Sequence, residues 1–171
     1  MTAIYVCPLS RLAETVSRSG ARHILTLIND GTLVSRPDAV SADNHLRIGM
    51  HDIVQPMDGM VCPSDEHVTE LLDFIRRWDR QAPVVVHCYS GISRSTAAAF
   101  TALCALRPDL DEAELALRLR DRSPEATPNA RLIAMADRFL GRDGRMIQAI
   151  EAIGRGADAF EGTVFSLSLT E

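Results

Sequence analysis

A chain of 171 residues with 46% apolar residues has the length and composition of one globular domain rather than a disordered segment or a fibre. Its formal charge of -5 argues against nucleic acid or an anionic membrane as partner, although a local pocket on an acidic protein can still be positive. The four cysteines, Cys7, Cys62, Cys88 and Cys104, are widely spaced with no C-x-x-C pair, which suits free thiols in a reducing compartment, so a cytoplasmic location is expected. The first residues carry no basic segment ahead of an apolar run, so no secretory leader is expected, and no apolar stretch approaches a membrane span.

In chain order, residues 3–9 read as a first strand that Pro8 confines to the end or edge of a sheet. Ser10 is placed to cap a helix over 11–19, with Gly20 as its stop. Residues 23–28 form a second strand, so a strand–helix–strand unit with parallel pairing is expected. Residues 32–44 are a polar connection with room for a short helix. Residues 45–53 alternate around Leu46, Ile48 and Met50 and read as a third strand with Asp52 near its end. Residues 54–63 are a surface loop, and Ser64 caps a helix whose apolar stripe is Val68, Leu71, Leu72, Ile75 and Trp78. The β-branched run Val84, Val85, Val86 is a buried strand. Helices then follow over 93–106, over 110–122 with Asp109 and Glu112 as a capping box, over 129–140 and over 145–153. Residues 158–171 alternate weakly and suit a short strand or an ordered tail. The whole chain reads as a single α/β domain, with a central, mostly parallel sheet flanked by helices.

The stretch that carries chemistry is His87-Cys88-Tyr89-Ser90-Gly91-Ile92-Ser93-Arg94-Ser95, between the buried strand and an alanine-rich helix. A strand, a tight loop and a helix N-terminus aim several backbone N–H groups into one concavity, which suits a tetrahedral anion. The same field stabilises a thiolate, so Cys88 is the candidate nucleophile. Arg94 offers a planar fork for two phosphate oxygens, and Gly91 allows either close approach or positive φ. Ser95 is placed to hydrogen-bond the sulfur, and His87 to brace the loop through backbone carbonyls.

This stretch resembles the signature of the cysteine-dependent protein tyrosine phosphatase superfamily: His-Cys, five residues with a central Gly, Arg, then Ser or Thr. The short domain is most similar to the dual-specificity branch, where Pro128-Asn129 resembles a recurrent helix start. The resemblance implies attack by Cys88 on phosphorus, a cysteinyl-phosphate intermediate held by Arg94, and hydrolysis with one carboxyl group as acid and then base. It implies Cys88, Arg94, Asp52 and Ser95 as catalytic groups, with His87, Tyr89, Ser90, Gly91, Ile92, Ser93 and Arg94 around the substrate phosphate. Asp52 is the expected acid and Asp58 the reserve, while Asp65 reads as a helix N-terminal charge; the Trp-Pro-Asp triplet of larger relatives is absent.

The expected substrate is phosphotyrosine, with phosphoserine and phosphothreonine as extensions. Phosphoinositides or small phosphoesters are the alternative within enzymes, and a phosphate-binding module without turnover is the alternative outside them. Rhodanese-like sulfur transfer fits less well, because those loops are shorter between Cys and Arg. No metal or other cofactor is expected, since the spacing of His45, His51, His67, Asp52, Asp58 and Cys62 matches no zinc pattern. Cys62 and Cys104 are the candidates for reversible pairing with Cys88, with Cys104 more simply a core residue. Trp78 reads as core, and Arg118, Arg120 and Arg122 as a solvated helix face.

Overall fold

The computed structural model describes residues 2–170; Met1 and the last residue of the expected tail, Glu171, lie outside the described residues. Five strands form one sheet: β1 (Ala3–Pro8), β2 (His23–Ile28), β3 (His45–Gly49), β4 (Val84–Cys88) and β5 (Phe165–Ser168). Six helices accompany them: α1 (Leu12–Ser19), α2 (Asp65–Arg77), α3 (Arg94–Leu106), α4 (Glu112–Arg122), α5 (Ala130–Phe139) and α6 (Arg145–Ile153). The strand order is β3-β2-β4-β1-β5. Neighbours are parallel except β5, which runs antiparallel to β1 and gives the weakly alternating tail its place.

The pleat divides the core in two, because successive side chains point to opposite faces. Ile4, Val6, Leu25, Leu27, Val84 and Val86 face one large cluster, filled from the other side by α2 to α6. Cys7, Ile24 and Val85 face a smaller cluster closed by Leu12 and Val16 of α1. Every residue of β2 and β4 is buried, as a central strand covered on both faces requires. The stripe on α2 is seated as its spacing predicts, Trp78 included, whose indole Nε1 donates to the Ala82 carbonyl at 2.9 Å. Each such fully buried side chain contributes about 1.5–3 kcal/mol. The start of α2 is held by reciprocal bonds: Ser64 Oγ accepts from the His67 amide, and His67 Nδ1 accepts from the Ser64 amide. That requires a neutral imidazole, and burial lowers the pKa of His67 accordingly.

Three boundaries differ from the sequence reading, and the bonds made at each show why. Ser10 does not cap α1. It sits in a 3-10 turn, Leu9–Arg11, which lets the Leu9 amide reach the Tyr89 carbonyl at 3.1 Å, and its hydroxyl donates to Glu161. The third strand stops at Gly49 rather than running to residue 53. The Met50 amide still reaches Ile28 O, but β2 then ends and the His51 amide turns to Val61 O at 2.8 Å. Asp109 is claimed by Arg107 in a two-point ion pair, so Asp111 caps α4 instead, accepting from the Ala113 amide at 2.8 Å. Glu112, expected in the capping box, is instead buried and bonded to Arg142 and Arg145. Burial would raise its pKa, but these partners bring it below the usual carboxylate range.

Arg120 is not part of a solvated face. Its guanidinium donates to the carbonyls of Ser123, Pro124, Ala126, Ile153 and Gly154, tying the end of α4 to the end of α6.

Candidate active site

Strand β4 carries His87 and Cys88 to the carboxyl edge of the sheet, where open α/β sheets bind their ligands. His87 is fully buried, and its ring joins a chain of hydrogen bonds. Nδ1 lies 3.1 Å from Cys88 O, an acceptor only, so Nδ1 carries the proton. Nε2 then accepts from Thr26 Oγ1 at 2.7 Å, and Thr26 Oγ1 accepts in turn from His45 Nε2 at 2.8 Å. This network assigns a neutral ring, in keeping with burial, which pushes the His87 pKa down to about 4. His87 thus braces the loop through one carbonyl and one hydroxyl.

The turn that follows is shaped by its carbonyls. Tyr89 O accepts from the Leu9 amide, Ser90 O from Gly162, Ile92 O from Thr127 and Ser93 O from Asn129. All four partners come from outside the loop. A trans peptide places its N–H opposite its C=O, so each carbonyl held outward turns the next amide inward. The amides of Ser90, Gly91, Ser93 and Arg94 therefore face the concavity. One is seen at work: the Gly91 amide donates to Cys88 Sγ at 3.3 Å. Gly91 itself has φ +73°, and a Cβ there would lie 2.8 Å from Pro8 N and 2.9 Å from Cys7 C. Both glycine properties are used, and the close approach is to the end of β1.

Cys88 is 1% exposed, with Ser95 Oγ 3.1 Å from its sulfur. Helix α3 begins at Arg94, and its N-cap Ser93 makes no capping bond to it. The Ser93 hydroxyl goes instead to Asp52 Oδ1 at 2.7 Å, leaving the helix N-terminus uncapped toward the concavity. Arg94 is tethered by one nitrogen, Nη1, which donates to Met50 O at 2.8 Å and approaches Asn29 Oδ1 at 3.5 Å. Its Nε is buried with no hydrogen-bond partner. An unmatched buried donor costs about 1–3 kcal/mol, which an anion in the cradle would recover.

Asp52 stands across the rim. Its Oδ1 accepts from Ser93 Oγ and from Asn129 Nδ2, the latter at 2.9 Å. Asn129 caps α5 with its own Oδ1 and also donates to Ile53 O, so one amide side chain fixes Asp52, the chain after it and the helix start. Sequence reading marked Asn129 only as a helix start; the pairing of a cap residue with a distant carboxylate leaves no local pattern. Asp58, the reserve acid, lies on the exposed turn closed by the bond from the Met60 amide to Met57 O, and Asp65 pairs with Arg138. Tyr89 is 54% exposed at the rim, while Ser90 and Ile92 are half-buried.

The other candidate ligands have separate places. His51 Nδ1 accepts from the Val61 amide, His67 caps α2 and His45 joins the Thr26 chain. Among the described residues no three or more His, Cys, Asp or Glu side chains gather as a metal site. Cys104 lies in the core, where burial pushes its thiol up to about 12, and Cys7 is raised to about 12 by the same cause. Cys62 is half-buried on the loop before α2.

The fold is that of a dual-specificity-type phosphatase, a cysteine-based enzyme class. Residues 9–106, more than half of the chain, match the family described as "Polymorphic toxin system, DSP-PTPase phosphatase", and the chain belongs to it. No curated protein matches the chain. Solved structures share the fold at low identity. DUSP15 aligns with a TM-score of 0.65 and 17% identity over 89% of this chain and 94% of its own. Human DUSP28 aligns at 0.62 and 18% over 85% and 94%. PTPMT1, solved in complex with PI(5)P, aligns at 0.62 and 14% over 87% and 92%.

Proposed function

We propose that the chain is a protein phosphatase acting on phosphotyrosine, and on phosphoserine and phosphothreonine where they reach the sulfur, as one domain. The observation that carries this reading is the convergence on Cys88 Sγ of the Gly91 amide and the Ser95 hydroxyl, beside an Arg94 Nε with no protein partner. In the first step the Cys88 thiolate forms a bond to phosphorus and the P–O bond to the substrate breaks. Asp52 gives its proton to the departing oxygen. The inward amides and Arg94 hold the charge on the three remaining oxygens. In the second step Asp52 takes a proton from water, the water oxygen attacks phosphorus, and the S–P bond breaks with Ser95 Oγ donating to the sulfur. The enzyme returns with Cys88 as thiolate and Asp52 protonated, and inorganic phosphate leaves. His87, Tyr89, Ser90, Gly91, Ile92 and Ser93 form the cradle. Each charge these steps need is supplied by a side chain or an amide, so activity should resist a chelator.

The four unpaired cysteines suit a reducing compartment such as the cytoplasm. No helix of the described residues is long and apolar enough to cross a membrane. A phosphoinositide reading draws on the likeness to PTPMT1, but Tyr89, Ser90, Ile92 and Ser93 supply no cation for a second phosphate. The test is hydrolysis of an aryl phosphate: it should proceed in chelator, be blocked by vanadate and vanish in Cys88→Ser. Undiminished turnover by that variant would refute the covalent mechanism.

A further inference from the structure

The rim around Asp52 opens into a second recess. A groove of about 590 Å³ starts at Asp52 and Ser93 and runs between the segment after Asp52 and the start of α5. Its walls are apolar: Ile53, Val54, Pro56 and Met57 on one side, Pro128 and Ala130 on the other. Val54 is 51% and Met57 55% exposed, large apolar side chains left open to water beside the site rather than folded into the core. The wall that carries them is held in shape. His51 and Val61 exchange two bonds across the base of the loop, His51 N to Val61 O and Val61 N to His51 Nδ1. Asn129 Nδ2 grips Ile53 O, and Arg131 Nε grips Pro63 O at 2.7 Å. A preformed apolar wall loses little entropy when a side chain is laid against it.

The charge around the same rim limits what that occupant is. On the other side of Asp52 a smaller recess of about 240 Å³ reaches Arg155 and Asp158, which pair with each other at 2.7 Å. Among the described residues, apart from Arg94 in the cradle, Arg155 is thus the one cation lining either recess, and a carboxylate already faces it. A polyphosphorylated headgroup or an anionic bilayer would meet Asp52 and Asp158 with little to balance its charge. A polypeptide carrying a single phosphate and an uncharged neighbour would not.

We propose that the groove is the specificity site for the residue next to the phosphorylated one. The substrate is then an extended protein segment with a single phosphate over Cys88 and a bulky apolar side chain against Val54 and Met57. This rests on the reading of Cys88 as nucleophile, and the test separates the two. Matched phosphotyrosine peptides differing only in Leu, Ala or Asp at the flanking positions are compared with para-nitrophenyl phosphate and with phosphatidylinositol-phosphate vesicles. The Leu peptide should exceed the Asp peptide in kcat/KM roughly tenfold, the scale a pocket achieves for one apolar group. In Met57→Asp and Val54→Asp that preference should fall to about one, measured as the ratio between the peptides. Equal rates on the two peptides, a preference that survives both substitutions, or faster hydrolysis of the vesicles would overturn the groove assignment while leaving aryl phosphate hydrolysis intact. Failure of the wild-type chain to cleave para-nitrophenyl phosphate would instead refute the phosphatase reading, and the groove assignment with it.

Discussion

Replacing Gly91 by alanine tests whether the loop is shaped as described. Two independent strains meet there. The left-handed φ of +73° costs a residue with a Cβ about 1–2 kcal/mol. The new Cβ would also lie 2.8 Å from Pro8 N and 2.9 Å from Cys7 C. Both are backbone atoms at the end of a strand paired on either side, so they do not yield as a flexible side chain would, and overpacking of this kind costs about 1–3 kcal/mol. Together they predict a loss of about 2–5 kcal/mol, read by urea unfolding, or a fall in Tm of about 4–20 °C for a domain of this size. Whatever part of the strain is relieved by moving the loop takes the Gly91 amide away from Cys88 Sγ. Losing one such donor costs about 10²–10³ in turnover, so kcat/KM on an aryl phosphate should fall at least a hundredfold. Gly59→Ala is the matched control: φ is +74° but nothing lies within 4 Å of the added Cβ, so only the backbone strain of about 1–2 kcal/mol should remain. A Gly91→Ala protein that unfolds like the Gly59→Ala control and turns over like the wild type would show that the loop does not press on β1.

Asp52→Asn should lower kcat about a hundredfold for substrates with poor leaving groups and much less for para-nitrophenyl phosphate, with loss of the acidic dependence in the pH–rate profile; an unchanged profile would move the acid to Asp58. Asn129→Ala should shift the same profile in the same direction but less, because the Ser93 hydroxyl still holds Asp52 Oδ1. His87 has a folded pKa of about 4 against 6.5 unfolded, so the unfolded chain binds the extra proton first. Its contribution is complete above pH 6.5 and is lost as pH falls toward 4, up to about 3 kcal/mol; urea midpoints measured between pH 7 and 4.5 should fall, and a flat series would argue against a buried neutral ring. Glu112→Ala would strand Arg142, which is only 8% exposed, and should cost about 3–5 kcal/mol in equilibrium unfolding, whereas a loss below 1 kcal/mol would mean the pair is solvated.

Elements whose signals are local were legible in the sequence. β2 and α6 fall where periodicity and stop residues put them, and α2 has the stripe and the cap its sequence shows. The misplaced boundaries arise where a residue with good local credentials is engaged by another partner, or where a strand loses its neighbour. Ser10 serves Glu161, Asp109 serves Arg107, and the third strand ends where its neighbour β2 runs out. The loop residues His87 to Ser95 could be grouped because they are contiguous, and Asp52 singled out because its place between the third strand and α2 is set by chain order; the folded chain brings Asp52 to Ser93 of that loop. Asn129, which holds Asp52, was not legible, and neither was Arg120, whose five carbonyl partners lie just after α4 and at the end of α6, segments that only the folded chain brings together.

What escapes the sequence most completely is the part of the site made of main chain. The family match ends at residue 106, yet three of the four amides that hold the loop carbonyls outward belong to Thr127, Asn129 and Gly162. Those bonds turn the inner amides toward the concavity over Cys88, so the loop's shape depends on chain that carries none of its signature. Arg120 fits the same scheme. By fastening Ser123 to Ala126 and the end of α6 together, it fixes both ends of the approach to Thr127 and the start of the segment that returns to Ser90 through Gly162. A backbone amide has no side-chain identity for selection or sequence reading to act on; what shows instead is the residue that makes the approach possible. Gly162 is such a residue, since a Cβ there would lie 2.8 Å from Gly91 O. The glycine at the centre of the cradle and the glycine that docks on it are therefore one structural requirement, split across 71 residues of chain.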